Sequence, residues 1–176
     1  GVSKLAGDLY MQDFAHLYGL KVGVFRMSCI YGTRQFGLED QGWVAWFSIA
    51  ALTGQPITIF GDGKQVRDVL YADDLVDAYR AFLASDLKHG VFNMGGGAEF
   101  TMSLIELLDI IKAKTGVSPQ LSYADWRPSD QKVYISDISK ARRELGWAPK
   151  VTPEEGVARL LAWVEEIAAL TQPDDI

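Results

Sequence analysis

The stretch ITIFGDGKQVRDVLYADDLVDAYRAFLA, residues 57–84, contains the alternation of elements that decides the fold. The β-branched run at 57–60 predicts a strand. GDGKQ (61–65) predicts a turn, because its glycines reach positive φ without steric cost. Residues 69–71 predict a second short strand, and residues 73–84 predict a helix with acidic residues at its positive end. Strands that alternate with helices predict an α/β chain with parallel pairing.

The same alternation continues on both sides of this stretch. Apolar spacing and glycine or proline signals predict further helices at 2–18, 43–52, 103–115, 139–145 and 153–169 and further strands at 22–27, 91–94 and 121–123. Ser103-x-x-Glu106 predicts a capping box. Residues 28–42 are rich in glycine and polar residues and predict a loop, and GGG at 95–97 predicts a tight turn. The polar residues 171–176 predict a loose tail.

Composition narrows the classes of function. The 176 residues are 48% apolar, which is ample for a core, and carry a net charge of −6 with 17 scattered Lys and Arg residues. A nucleic-acid surface needs clustered basic side chains, and a membrane span needs about 20 consecutive apolar residues, so neither partner is expected. The single Cys29 excludes an internal disulfide and predicts a cytoplasmic location. With only His16, His89 and Cys29 as soft ligands, no metal site is expected.

The first residues, GVSK, already run into the helix predicted for residues 2–18, and no helix-start signal comes before it. No Ser, Thr, Asp or Asn precedes Val2 to cap its exposed N–H groups, so we expect the chain to be part of something longer. Lys4 stands opposite the apolar stripe of this helix. On local spacing alone, such a lysine is a solvated surface residue.

Six ordered segments resemble one enzyme family. They are GVSK (1–4), RMSCIYG (26–32), GDGKQVRDVLYADDL (61–75), FNMGGG (92–97), RPSDQ (127–131) and DISKARRELGW (137–147). Their order and spacing resemble the extended short-chain dehydrogenase/reductases, the NAD-dependent nucleotide-sugar epimerases and dehydratases. The resemblance covers nearly the whole chain. It implies an α/β fold made of the C-terminal part of a Rossmann-like parallel sheet plus a small mixed α/β substrate-binding domain.

The resemblance also implies a domain division. Residues 1–32 would be the last part of the NAD-binding domain. Residues 33–170 would be mainly the substrate-binding domain, with some segments returning to the Rossmann sheet, and residues 171–176 would be the tail.

Lys4 gains a catalytic and cofactor-binding role from this resemblance. The family's catalytic pair is Tyr-x-x-x-Lys, and Gly1–Lys4 matches its last four positions, so the tyrosine would stand just before Gly1. Residues four apart share a helix face, and an ammonium beside a phenol lowers the phenol pKa, which makes a base near neutral pH. In the family this lysine also hydrogen-bonds the nicotinamide ribose.

The turn that holds the pyrophosphate of NAD is not recognisable. Gly95–Gly97 lacks the Gly-x-Gly-x-x-Gly spacing that this turn needs. We therefore expect NAD as the cofactor of the longer parent, and expect this chain alone neither to bind NAD tightly nor to turn over substrate.

Arg67 and Arg127 match family positions that bind the diphosphate of a nucleotide sugar. Guanidinium suits this task because its planar fork donates to two phosphate oxygens and stays charged. The alternative is that each is a surface arginine or an ion-pair partner of Asp68 or Asp130.

The stretch at 28–47, which spans the predicted loop and the start of the next predicted helix, is expected to complete the substrate pocket. By family position, Ser28 faces the nicotinamide and Cys29 the sugar, as a wall of the pocket more than as a nucleophile. The other matching positions are Gln41, Trp43 and Val44 at the nucleotide and Phe60 at the base. Ordinary core packing remains the alternative for Trp43 and Val44.

The implied activity is epimerisation of a nucleotide-diphosphate sugar by transient oxidation at one carbon and return of the hydride. Residues 28–47 are most similar to the branch that inverts C2 of CDP-linked sugars. A 4-epimerase or 4,6-dehydratase is the first alternative, and a non-catalytic nucleotide-sugar-binding module is the second. The family also implies a homo-oligomer through the first helix, whose stripe could equally be core.

Overall fold

The computed structural model describes residues 1–170. Its helices are α1 (Val2–Tyr18), α2 (Trp43–Thr53), α3 (Ala72–Ala84), α4 (Leu104–Thr115), α5 (Ser139–Leu145) and α6 (Pro153–Leu170). Its strands are β1 (Val22–Met27), β2 (Cys29–Tyr31), β3 (Ile57–Phe60), β4 (Val66–Tyr71), β5 (His89–Met94), β6 (Thr101–Ser103), β7 (Leu121–Ala124) and β8 (Val133–Tyr134). The predicted α/β class is confirmed, whereas the predicted tail, 171–176, lies outside the described residues. Among residues 1–170, no helix combines the length and apolar character needed to cross a membrane.

Parallel pairing dominates the described sheets. β1 pairs with β5 in parallel along its whole length, and β3 pairs in the same way with β7. β4 has two sets of partners: its second half pairs with β2 in parallel, while its first half lies between antiparallel β6 and parallel β8. β4 therefore joins the three other strands of its sheet, β2, β6 and β8.

Two apolar clusters hold these elements together. The first joins α2, α4 and α6 with β3 and includes Leu107, Ile111 and Leu160, all fully buried. The second packs α3 and α5 against β5 around Phe92 and Met94. Burial on this scale is the main stabilising contribution to such a fold. The prediction that the helix after residue 42 is buried on all sides is confirmed, since most of α2 lies in the first cluster.

The predicted capping box is present at the start of α4. The Ser103 hydroxyl oxygen accepts a hydrogen bond from the Glu106 N–H at 3.2 Å, and the Glu106 carboxylate accepts one from the Ser103 N–H at 2.7 Å. Hydrogen bonds from the backbone and side chain of Ser103 lower the pKa of Glu106. Gly116 ends the helix at φ 72°, as its position predicts.

Several strand assignments made from the sequence were wrong. Residues 28–42 are not all loop, because Cys29–Tyr31 forms β2 against Val69–Tyr71. β4 begins at Val66 instead of residue 69, β5 begins at His89 instead of residue 91, and β6 and β8 were not predicted. These short segments become strands because of partners distant in sequence, so local periodicity carries little sign of them.

Asp74 is a helix-start acid, as predicted, and has a further role that the sequence did not reveal. The acids at 73 and 74 were interpreted as helix-start charges, and Asp73 is indeed exposed. Asp74 is 2% exposed, and its carboxylate accepts hydrogen bonds from the backbone N–H groups of Lys150 at 3.0 Å and Val151 at 2.9 Å. The indole of Trp147 donates to the Asp74 carbonyl at 2.8 Å. Asp74 therefore ties the start of α3 to the segment between α5 and α6.

α1 leaves its apolar side chains exposed. Ala15 is the one buried residue on this helix, and Val2, Leu5 and Leu9 are all more than half exposed. Asp8 binds Arg26 of β1 at 2.6 Å, which lowers the pKa of Asp8. Within residues 1–170 the stripe of α1 is thus not core, and its contact with a second subunit stays a prediction.

Candidate functional site

A cleft of about 190 Å³ brings together the two arginines predicted to bind a diphosphate. Arg67 comes from β4, and Arg127 comes from the loop after β7. Three further predicted site residues line the same cleft, namely Gln41, Trp43 and Phe60. Segments separated by more than 80 positions in the sequence thus converge at one place, as the resemblance implied.

Each arginine of the cleft is held by an acidic loop. Arg67 Nη2 lies 2.8 Å from Asp130 Oδ1, and only 17% of the Arg67 side chain is exposed. Arg127 Nη2 lies 3.2 Å from Asp40 Oδ1, and its guanidinium stacks 3.9 Å from the centroid of the Phe60 ring. Arg67 therefore has Asp130, one of the two partners considered for it, and also lines the cleft, while its binding of a diphosphate stays a prediction. The stacked guanidinium gives the cleft a flat cationic surface beside an aromatic ring.

A second cleft, of about 440 Å³, adjoins the first. It shares Arg67 and Trp43 with the first cleft. Its other lining residues are Met27, Ser28, Cys29, Gln131 and Tyr134. The guanidinium of Arg67 therefore lies at the junction of the two clefts. This arrangement suits an elongated ligand with a central anionic group.

Ser28 is fixed by a buried carboxylate. The Ser28 hydroxyl donates to Asp68 Oδ1 at 2.5 Å, and Asp68 is fully buried. Asp68 also accepts a hydrogen bond from the Gly97 N–H at 3.2 Å. Asp68 therefore binds Ser28 and not Arg67, so one of the ion pairs considered for Arg67 was wrong.

The glycine turn after β5 is packed against the protein itself. A Cβ atom at Gly95 would lie 1.9 Å from Asp68 Oδ2, and one at Gly96 would lie 2.4 Å from the Val69 carbonyl oxygen. These glycines allow close internal packing, which supports the predicted tight turn. The glycine turn of this chain thus does not fit the pyrophosphate of NAD, and the contacts expected from Ser28 and Lys4 to its nicotinamide end stay predictions.

Cys29 forms a wall of the second cleft together with Trp43. The Trp43 indole Nε1–H donates to Cys29 Sγ at 3.0 Å. Burial raises the pKa of the Cys29 thiol to about 11, so the thiol is neutral at pH 7. A neutral thiol is a poor nucleophile, and the wall role expected for Cys29 is the one that this chemistry favours.

Two predicted site residues lie away from both clefts. Lys4 is exposed on α1, and its side chain makes no hydrogen bond or ion pair with another residue of the described part of the chain. Val44 is 1% exposed, and its side chain packs in the first apolar cluster. The catalytic role of Lys4 and a substrate contact at Val44 stay predictions.

The sequence reasoning missed Gln131 and Tyr134 as lining residues. β8 pairs with β4 so that Tyr134 stands opposite Arg67, which places the tyrosine at the second cleft. The one available signal for Gln131 was its position next to Arg127-Pro128-Ser129-Asp130. Tyr134 gave no signal, because the two-residue strand β8 leaves no periodic pattern.

Comparison with known proteins shows the family of this chain. Residues 1–95 match the model of the NAD dependent epimerase/dehydratase family, and the chain belongs to this family. It is 40% identical over 174 residues to CDP-paratose 2-epimerase of Salmonella typhi, a match that covers 95% of this chain and 52% of the relative. The chain thus spans about half the length of the curated relatives it matches.

Solved structures of two 4-epimerases are similar as well. The structure of UDP-glucose 4-epimerase from Thermotoga maritima with UDP-glucose has a TM-score of 0.86 at 35% identity, covering 95% of this chain and 53% of that one. The UDP-glucose 4-epimerase of Thermus thermophilus in complex with NAD has a TM-score of 0.83 at 30% identity, covering 93% of this chain and 53% of that one.

Proposed function

We propose that this chain supplies the substrate-binding part of an NAD-dependent nucleotide-sugar epimerase, and that the enzyme is a CDP-paratose 2-epimerase. The observation that carries the proposal is the pair of adjoining clefts with Arg67 at their junction. The finer assignment is supported by the 40% identity to the CDP-paratose 2-epimerase of Salmonella typhi.

The substrate is expected to lie along both clefts. Arg67 would bind the diphosphate, because a guanidinium donates to two phosphate oxygens at once. The base would lie in the first cleft beside Phe60, whose ring is already stacked against Arg127. The sugar would then occupy the second cleft, between Cys29 and Tyr134.

Two residues of this chain are expected to lie at the end of the site where NAD binds. When bound, NAD supplies a hydride acceptor that can return the hydride to the other face of the sugar carbon. Lys4 would hold the nicotinamide ribose and, as an ammonium, lower the pKa of a phenol one helical turn before it. Ser28, fixed by Asp68, would line the nicotinamide side of the sugar.

The assay uses the complete natural protein that contains this chain. It is incubated with NAD and a panel of CDP-, UDP-, GDP- and dTDP-sugars, and the configuration at each sugar carbon is followed by NMR. We expect inversion at C2 of a CDP-linked sugar. Inversion at no carbon of any substrate would contradict the proposal.

A matched pair of variants tests the role of the cleft. R67A removes the junction cation, whereas R142A removes an arginine that is paired with Glu99 away from both clefts. Bonds to a charged group contribute about 1.5–3 kcal/mol each, so R67A should weaken CDP binding by about tenfold or more and R142A should not. Equal affinities of the two variants in calorimetry would show that Arg67 does not bind the diphosphate.

A UDP-glucose 4-epimerase is the second candidate, because the Thermotoga maritima enzyme is 35% identical with a TM-score of 0.86. The same NMR assay separates the two candidates by the carbon that is inverted. A non-catalytic binding module would bind the nucleotide sugar and invert no carbon. The cytoplasmic location and the homo-oligomer through α1 stay predictions.

A further inference from the structure

The turn at residues 38–41 brings two acidic residues to the first cleft. Leu38 and Gln41 exchange two backbone hydrogen bonds of 2.9 Å each, so Glu39 and Asp40 are the two central residues of a tight turn. Both acids line the first cleft, and 94% of the Asp40 side chain is exposed. The turn therefore adds negative charge to a cleft that is expected to take up part of a nucleotide diphosphate.

The segment that leads into this turn is anchored by packing. The Phe36 ring meets the ring of Trp163 of α6 edge to face, with 5.3 Å between the centroids. A Cβ atom at Gly37 would lie 2.4 Å from the backbone nitrogen of Trp46, so this part of the chain packs closely against the first turn of α2. Leu38, Glu39, Asp40 and Gln41 are themselves exposed. A displacement of the turn therefore leaves the apolar clusters intact.

Arg127 binds this turn through one nitrogen atom. Its Nη2 donates to the Glu39 carbonyl oxygen at 3.3 Å and lies 3.2 Å from Asp40 Oδ1. The guanidinium is held from a second direction by the Phe60 ring, 3.9 Å from its centroid. The charge of an arginine predicted to bind the diphosphate is thus already paired with a carboxylate of the same chain.

We propose that Asp40 is an internal competitor for Arg127, which holds the turn at 38–41 on the guanidinium until a phosphate group of the ligand replaces it. The inference rests on the proposed function, since it concerns the diphosphate of the same nucleotide sugar. A phosphate that reaches Arg127 meets the charge of Asp40 at the same nitrogen, and like charges at this separation repel each other. Binding of the phosphate therefore displaces Asp40 into solvent.

The exposure of the pair sets the size of the effect. The side chains of Arg127 and Asp40 are 35% and 94% exposed. An ion pair this exposed shifts an equilibrium by about two- to fivefold. Removing the charge of Asp40 should therefore tighten the binding of a nucleoside diphosphate by this factor. The sign of the change is decisive, because a residue that held Arg127 in its binding position would weaken binding when it is replaced.

D40N and E39Q form a matched pair of variants. D40N keeps the size of the side chain and one oxygen acceptor and removes the charge that is paired with Arg127. E39Q removes an equal charge from the neighbouring residue, which lines the same cleft but meets Arg127 through its backbone carbonyl. Within residues 1–170 the Glu39 carboxylate forms no ion pair. We expect D40N to bind CDP about two- to fivefold more tightly than the wild type, and E39Q to change the affinity clearly less.

A double-mutant cycle locates the effect at Arg127. In R127A the cation for which Asp40 competes is gone, so R127A/D40N should bind CDP as R127A does. The dissociation constants of CDP are measured by calorimetry on the complete natural protein with NAD, and thermal unfolding confirms that each variant is folded. If R127A binds CDP too weakly to measure, the comparison of D40N with E39Q decides.

Three results would overturn the inference. They are a D40N variant that binds CDP no more tightly than the wild type, an E39Q variant that gains as much affinity as D40N, and a gain from D40N that persists without Arg127. In each case CDP binding that R67A weakens would leave the proposed function standing. If the folded wild type does not bind CDP, the proposed function fails and the competitor role of Asp40 fails with it.

Discussion

Replacing Asp74 should destabilise the protein far more than replacing its neighbour Asp73. In D74A the N–H groups of Lys150 and Val151 lose their acceptor, and the loop that carries them lies against the second apolar cluster through Trp147. Each unpaired group costs about 1–3 kcal/mol, so the free energy of unfolding should fall by about 2–6 kcal/mol.

D73A is the matched control for this prediction. Asp73 lies in the same first turn, its side chain is 76% exposed, and its nearest cation is Arg159 at 3.8 Å. An exposed acid at a helix start contributes about 0.3–1 kcal/mol, so D73A should have a small effect. D74N keeps the shape and one amide oxygen as acceptor, so its effect should lie between the other two.

Urea unfolding followed by tryptophan fluorescence and circular dichroism measures all three variants. The structural role of Asp74 predicts that D74A is less stable than D73A by about 1 kcal/mol or more. If both acids acted only as helix-start charges, the two alanine variants would unfold at the same urea concentration. That equality would refute the role assigned to Asp74.

Three further predictions concern the cap of α4, a packed glycine and the buried thiol. S103A should lower the free energy of unfolding by about 1 kcal/mol in urea titrations, because it removes the capping acceptor. The pKa of Glu106 is lower in the folded state than in the unfolded state. Its stabilising effect is therefore complete above its unfolded pKa of about 4.3 and declines as pH falls through the folded value. The difference in free energy of unfolding between the wild type and E106Q should shrink below about pH 4, and a difference independent of pH would contradict this. G156A should be strongly destabilising in thermal unfolding, because a Cβ there would lie 2.1 Å from the Tyr31 hydroxyl oxygen, and unchanged stability would show that α6 shifts freely. With a pKa of about 11, Cys29 should react with iodoacetamide roughly 100-fold more slowly at pH 7.5 than a free cysteine, with a rate that still rises at pH 10; a plateau below pH 9 would be the opposite result.

Local signals explain what the sequence predicted well. The capping box at Ser103 and Glu106 and the glycine at 116 act within one or two helical turns, so the bounds of α4 could be inferred from neighbouring residues. The strongly apolar run of α2 likewise predicted its burial. In such cases the residues that determine the structure lie close together in the chain.

Long-range partners explain what the sequence did not reveal. β2 and β8 exist because each pairs with β4, and neither shows a pattern of its own. Asp74 looks like any acid at a helix start, and its acceptor role depends on a loop more than 70 positions away. At the site, family motifs predicted Arg67 and Arg127, while Tyr134 became apparent only from the pairing of β8 with β4.

The double pairing of β4 also bears on the order in which the protein acquires its function during synthesis. Arg67 leaves the ribosome well before Tyr134, yet the strand that carries Tyr134 pairs directly beside it. Contacts between residues so distant in sequence form late in folding, because the intervening chain must first be ordered. A nascent chain that ends before β8 would have both arginines but only one side of its second cleft. A ligand that binds in the second cleft would then stabilise the finished protein, and it would give little help to the growing chain.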